Sequence, residues 1–263
     1  MALFGTEGYL LKTLDNTECV LDVRAQFEKH LKKRVSCEST LETYQNFVSN
    51  DDDQVKIHYD LSQLFWSGRW HLEIFRKNKE FFDEAVGPDL DIQTKPHFRL
   101  ARPEKSQDNI GFHRDIEYGS TAYEISCLFT LTKLDVLGAI QLVPGSHSLS
   151  EVKVSAIKNN GVEKGSIKNQ LGVPYLLQTL DDDSLKSKLI PIPMEIGEVL
   201  CINLAVIHGQ EVNRSSSTRW TIDARIKNSF VKSGSRDDLY TNFYSSPATM
   251  AGVTHYKKNI QAK

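Results

Sequence analysis

The chain has 263 residues, 40% of them hydrophobic, and 32 Lys+Arg against 34 Asp+Glu for a formal charge of −2. That is enough apolar material for one substantial core, and we expect one domain over 1–263, as a monomer or homodimer. With no long basic run, nucleic acid and anionic membrane are disfavoured as partners; the start lacks a signal-peptide pattern and no apolar stretch reaches the ~18 residues of a membrane span, so a cytoplasmic protein is expected.

Residues 1–90 read as helical cover. Asp15-x-x-Glu18 resembles a capping box, and Val20, Val23, Phe27 and Leu31 follow on one helical face. A second helical block runs from about 61 to 86 with Leu64, Phe65, Leu72, Phe75 and Phe82, and Gly87-Pro88 closes it. Asp51-Asp52-Asp53 and Asp181-Asp182-Asp183 lack the alternating spacing of a calcium loop and read as solvated loop charge.

From Ile92 the period changes to two. Strands are expected at roughly 92–102, 110–115, 123–132, 139–143, 189–193, 198–208 and 218–227, without long helices between them. Helices first and strands afterwards predict an antiparallel barrel or double sheet under a helical cover, with 91–228 as core. The stretch 146–188 has no clean period and is long for a connection, which marks it as a lid; 229–263 is a C-terminal segment whose Tyr240, Phe243, Tyr244 and Tyr256 either help close a site or simply pack. Cys19, Cys37, Cys127 and Cys201 have no CxxC spacing, and Cys127 and Cys201 sit in apolar runs as inert core thiols.

Chemistry concentrates at Gly111-Phe112-His113-Arg114-Asp115. In extended backbone His113 and Asp115 share a face and Arg114 points away, giving two members of a 2-His-1-carboxylate triad, the ligand set of non-haem Fe(II). An HxD alone is weak, because a salt-bridged surface pair reads the same. Two histidines compete as third ligand: His147 in the turn Pro144-Gly145-Ser146-His147, and His208 at the end of an apolar run. Eleven residues after His208, Arg219 opens a two-faced strand. Trp220, Ile222, Ala224 and Ile226 share one face, and Arg219, Thr221, Asp223 and Arg225 the other. If the polar face lines a pocket, Arg219 offers a planar fork for a small carboxylate, with the Thr221 hydroxyl beside it.

HxD, a distal His and then Arg with a hydroxyl residue two beyond it together resemble the Fe(II)/2-oxoglutarate-dependent dioxygenases, in particular the phytanoyl-CoA dioxygenase-like superfamily. The resemblance rests on residues 112–115, 137–147 and 208–220. It implies a double-stranded β-helix, a jelly-roll of cupin type, mainly β with helical cover. It also implies Fe(II) held by His113, Asp115 and His208, with His147 left to structure or the substrate mouth, and 2-oxoglutarate and O2 as cosubstrates. Arg219 and Thr221 would take the distal carboxylate of 2-oxoglutarate, Arg102 (or else Arg99) would assist, and Gln141 would line the same pocket. Phe112, where Trp or Tyr is frequent in the family, would alter the pocket's shape. Asp115 disfavours a halogenase, whose relatives free that position for halide. The implied activity is hydroxylation of an unactivated C–H bond in a small metabolite, giving succinate and CO2; the alternatives are a non-catalytic jelly-roll binder or a protein hydroxylase of JmjC type.

Overall fold

A computed structural model describes residues 4–152, 154–158, 162–174, 176–234 and 237–259. Helices α1 (Glu18–Arg34), α2 (Asp51–Gly68), α3 (His71–Lys77) and α4 (Lys79–Val86) precede most of the sheet, α5 (Ile167–Gln170) and α6 (Asp183–Lys186) lie in the expected lid, and α7 (Pro247–Asn259) ends the description. The strands are β1 (Tyr9–Thr13), β2 (Leu90–Gln93), β3 (His97–Ala101), β4 (Ile125–Thr130), β5 (Ile140–Leu142), β6 (Val154–Lys158), β7 (Leu176–Leu180), β8 (Ile190–Ile192), β9 (Glu198–Asn203), β10 (His208–Gly209), β11 (Arg219–Asn228) and β12 (Tyr240–Tyr244).

All pairings are antiparallel. The large sheet runs β1-β9-β4-β11-β2-β12, with β3 also on β11; the small one runs β10-β5-β8; β6 and β7 form a hairpin. The two main sheets close on Leu128, Ile140, Leu142, Leu200, Ile202 and Val206, which form one apolar cluster between them. This is the double-stranded β-helix expected, with helices on its outside. The cover is built by the other face of the large sheet: Trp220, Ile222, Ala224 and Ile226 pack with Phe27, Phe65, Phe75 and Phe82 of the helices. Trp220 is wholly buried, and its indole N–H donates to the Leu41 carbonyl at 2.7 Å. Period two thus assigns β11's apolar residues to the helices and its polar ones to the interior of the barrel.

Several sequence expectations shift. The first ninety residues include β1, which pairs with β9; one five-residue strand with polar flanks is below what periodicity resolves. The Asp15/Glu18 capping box does not form: the Asn16 side-chain oxygen receives the Cys19 N–H instead. The second helical block begins ten residues earlier than expected, at Asp51, and breaks into three helices, leaving Leu64 exposed. Asp51–Asp53 are not loop charge but the first turn of α2, where carboxylates favour the helix dipole, capped by Asn50. In the second acidic run, Asp182 caps α6. The strand expected at 92–102 is interrupted between Gln93 and His97, and that at 198–208 divides into β9 and the short β10. Gly87 closes α4 with φ +93, as expected. Cys127 and Cys201 are buried with sulfurs 3.9 Å apart, and burial holds the Cys127 thiol well above its usual range. In the C-terminal segment Phe243 and Tyr244 pack against the main core, whereas Tyr256 is exposed.

Two buried imidazoles give the fold an acid limit. Burial pulls His58 and His71 down to about 4 from the usual 6.5, so both are neutral when folded. An unfolded chain binds their protons near pH 6.5, so the stability they contribute is complete above that pH and is lost as pH falls toward 4. Urea midpoints should be level above about pH 7 and decline through this window; His58→Gln and His71→Gln together should flatten the decline.

Candidate metal centre

The two histidines of the site are brought together by backbone. His113 and His208 form an antiparallel bridge, with His113 N–H to His208 O at 2.9 Å and His208 N–H to His113 O at 3.0 Å. The rings lie 4.6 Å apart between centroids. This approach requires glycine beside His208: a Cβ on Gly209 would stand 2.2 Å from the Gly111 carbonyl oxygen and 2.7 Å from the Phe112 Cα. Asp115 follows one extended residue later and opens a short 3-10 turn, Asp115–Tyr118. Arg114 turns the other way, with Nε donating to the Ala205 carbonyl at 2.9 Å and Nη2 to Leu149 at 3.2 Å, which pins the HxD segment to the chain before β10.

The donor atoms of His113, Asp115 and His208 all lie within 4.8 Å of one another, the one such metal-capable cluster among the described residues. His113 Nδ1 faces the Gly111 carbonyl at 3.3 Å and His208 Nδ1 the Val206 carbonyl at 3.0 Å. Those contacts favour the Nδ1–H tautomer and leave both Nε2 lone pairs for a metal. Nε2 of His113 is 3.5 Å from Asp115 Oδ1, and Nε2 of His208 is 3.8 Å from Asp115 Oδ2. Burial, reinforced by His113, keeps His208 below the usual imidazole range and therefore neutral. Burial pushes the Asp115 carboxyl up, but Arg225 and the His113 contact overcome it and hold the group well below the carboxylate range. Two imidazoles whose Nε2 atoms are left free by their Nδ1 contacts, and one ionised carboxylate, on one side of a cavity fit a divalent iron with open positions.

The cavity beside the triad is lined by Arg99, Ser126, Ile140, Thr221 and Asp223, among others. Asp223 accepts a hydrogen bond from the Ser126 hydroxyl at 2.6 Å and lies 3.8 Å from Arg99. Arg219 shares the strand face of Thr221 and is 2% exposed, yet no carboxylate lies within ion-pair range of it among the described residues. Its Nη1 donates to the Gly138 carbonyl at 3.2 Å and its Nε has no partner. Burial and the neighbouring Arg99 pull its guanidinium down to about 9. A buried cation so poorly compensated fits an anion from outside the chain.

Two expected cosubstrate residues lie elsewhere. Arg102 is clamped by Asp108, at 3.0 Å from Nε and 3.1 Å from Nη2, and by Asp51 at 2.8 Å, so its donors serve to fix the loop before the HxD. Its side chain borders a second, larger cavity and not the one at the triad. Gln141 alternates with Ile140 and Leu142; Ile140 lines the triad cavity and both are in the inter-sheet core, so the period of the strand carries Gln141 to the opposite face. Arg99, the alternative to Arg102, does line the cavity, because β3 sets it opposite Thr221. His147 is structural: a Cβ on Gly8 would stand 2.3 Å from its Nδ1, so the imidazole is packed under the β1 turn. Phe112 packs against the small cluster of Val143, Leu180, Leu185 and Ile207 instead of shaping the cavity.

Sequence reading missed the consequence of Arg225. It was visible on the polar face of β11, but only the fold shows Nη2 on Asp115 Oδ1 at 2.7 Å. His97 was also missed; it is half-buried two residues before Arg99 on the same face, and loss of solvent and Arg99 pull it down to about 3.

The double-stranded β-helix and the His113/Asp115/His208 facial triad define a non-haem Fe(II)- and 2-oxoglutarate-dependent oxygenase. Residues 12–221 match the model of the phytanoyl-CoA dioxygenase family, and the chain belongs to that family. Its cofactor is iron, its cosubstrate is 2-oxoglutarate, and a small-molecule substrate follows from membership. No curated protein matches by sequence. Among solved structures, the fold is similar to that of the non-haem monooxygenase ThoJ in its apo form (TM-score 0.56, 13% identity, covering 98% of this chain and 94% of that one). It is also similar to EvdO2 from Micromonospora carbonacea var. aurantiaca (0.54, 13%, 90% and 94%). A third is the epimerase SnoN, solved with Fe3+, alpha-ketoglutarate and nogalamycin RO (0.50, 14%, 86% and 81%). No helix of the described residues is long and apolar enough to cross a membrane.

Two outcomes follow. His208→Ala should lose Fe(II) or Co(II) binding by at least about a hundredfold while His147→Ala retains it, read by anaerobic metal titration. Gly209→Ala should force the two ligand segments apart and weaken metal binding at least about tenfold, even though both imidazoles remain in the chain.

Proposed function

We propose that this enzyme hydroxylates an unactivated C–H bond of a small metabolite, with 2-oxoglutarate anchored through its distal carboxylate by Arg219 and Thr221. The observation that carries the reading is Arg219, a buried guanidinium with a free Nε and no carboxylate partner among the described residues, on the same strand face as a hydroxyl that lines the triad cavity. A planar fork in a buried site suits a bidentate carboxylate, and the anion would restore the guanidinium toward its ordinary range. With iron, 2-oxoglutarate and O2 bound, oxidative decarboxylation gives succinate and CO2, and the second oxygen atom enters the C–H bond as hydroxyl. Asp115, present and ionised, favours hydroxylation over halogenation because it fills the ligand position a halide would need.

The protein's own part is binding, orientation and exclusion of water. The larger cavity is lined by Gln54 and His58 of α2, by Leu171 and Val173 after α5, and by Arg99 and Ile110, which it shares with the cavity at the triad. We assign it to the substrate. Its outer wall comes from the 146–188 stretch, in keeping with a lid. Arg99 Nη1 donates to the Gly172 carbonyl at 2.8 Å, and a Cβ on Gly172 would meet His97 at 2.4 Å and Arg99 at 3.0 Å, so the lid is seated directly on the site's polar wall. The lining mixes apolar and amide side chains with charged ones such as Asp51, Arg99 and Lys168, which suits a compact polar molecule better than a macromolecule.

Iron-reconstituted protein should release succinate from 2-oxoglutarate in an O2-dependent reaction, with slow uncoupled turnover even without substrate. Arg219→Ala should raise the KM for 2-oxoglutarate at least about a hundredfold, some 2.7 kcal/mol, while Fe(II) affinity stays within a few-fold of native. Arg102→Ala should affect stability more than that KM. Absence of any succinate, or an unchanged KM in the Arg219 variant, would sink the reading.

A further inference from the structure

Asp115 is held by a residue that the family match does not assign. Arg225, near the end of β11, is 4% exposed. Its Nη2 donates to Asp115 Oδ1 at 2.7 Å, its Nη1 to the Ser120 hydroxyl at 2.9 Å, and its backbone N–H to Gln93 Oε1 at 3.1 Å. The guanidinium is therefore aimed, from a rigid strand, at one oxygen of the carboxylate. Oδ1 also lies 3.5 Å from His113 Nε2 and Oδ2 faces His208 Nε2 at 3.8 Å, so both oxygens look toward a ligand imidazole and only the Arg225 bond distinguishes them.

The choice of oxygen matters for an iron site that must also take two atoms of 2-oxoglutarate and one of O2. Six positions suffice only if the protein gives three donor atoms. A carboxylate with both oxygens unencumbered can chelate a divalent cation through the pair and take a fourth position. Pulling Oδ1 away from Arg225 would strand a buried guanidinium, and a buried charge-assisted bond of this kind is costly to break. We propose that Arg225 is a positioning residue that reserves Asp115 Oδ1, so that the carboxylate gives iron Oδ2 alone and leaves the positions 2-oxoglutarate and O2 require. The inference rests on the cosubstrate reading above. It also gives β11 two roles six residues apart, Arg219 toward the cosubstrate and Arg225 toward the metal ligand.

Other buried carboxylates surround Arg225. Asp223 is on the same strand face, and Glu124 accepts from the Thr121 N–H at 2.7 Å and from the Tyr240 hydroxyl. A purely structural Arg225 would only balance this charge. The two roles predict opposite behaviour. A cation beside Asp115 disfavours a second cation there, so removing it should not weaken metal binding, whereas a chelating Asp115 should obstruct 2-oxoglutarate. A structural loss should weaken both together.

The test uses the full chain, native and as R225Q and R225K, with anaerobic Co(II) titration, the visible Co(II) spectrum, a 2-oxoglutarate titration of the Co(II) protein, and thermal unfolding to confirm the fold. In R225Q we expect Co(II) affinity within about threefold of native or tighter, lower Co(II) band intensity as its coordination number rises, and 2-oxoglutarate binding weakened at least about tenfold. R225K keeps charge without the fork and should recover part of the loss. Parallel loss of Co(II) and 2-oxoglutarate affinity, or unchanged 2-oxoglutarate affinity and spectrum, would overturn the proposal. If R225Q does not fold, R225K is judged alone by the same two criteria. A native protein that binds Co(II) but no 2-oxoglutarate refutes the cosubstrate reading instead, and the Co(II) spectra of the variants still report the coordination of Asp115.

Discussion

The structure turns on the reciprocal pair of backbone hydrogen bonds between His113 and His208. Ninety-four residues of chain lie between the two imidazoles, and these bonds, with Gly209 lying against Gly111, make them neighbours. Everything else in the site is arranged around that bridge: the short turn that presents Asp115, the Arg114 contacts that tie the HxD to Ala205 and Leu149, and the turn after β9 that leads through Val206 and Ile207 into β10. A metal site of three side chains needs little more from the fold than such rigidity, since each ligand's free ring nitrogen is already fixed by a carbonyl.

The second constraint is the two-faced β11. Its apolar face holds the helical cover and its polar face supplies Arg219, Thr221, Asp223 and Arg225 to the barrel interior, all of them buried. Burying that many charged groups is unfavourable unless each finds a partner. Arg225 has Asp115, and Asp223 has Ser126 with Arg99 nearby. Arg219 alone has only a carbonyl, and that imbalance is the strongest physical indication of an anionic cosubstrate.

Much of this was legible beforehand because it is written in spacing. The HxD, the distal His and the alternation of β11 are local patterns, and alternation correctly assigned which β11 residues face the helices. The misplaced cosubstrate residues share one cause. Distance along the chain and residue type point to Arg102 and Gln141, but whether a side chain reaches the cavity depends on register. Arg99 faces Thr221 while Arg102 lies beyond the end of β3, within reach of Asp108 and Asp51. The Asp15/Glu18 box and the extent of the second helical block differ for a separate, local reason: Asn16 Oδ1 takes the Cys19 N–H, and Asn50 caps α2.

By itself the sequence determined the fold class, the period change from helices to strands, the three metal ligands once their pattern was matched to a family, and the two-faced character of β11. Those are properties of periodicity and of residue chemistry, which need no partner to be read. Only the tertiary structure decided that His147 supports a turn, that Arg99 and not Arg102 reaches the site, and that Arg225 holds the iron-binding carboxylate. Each of these depends on two segments far apart in the chain meeting in one register, and the energy that selects a register comes from packing across the whole barrel.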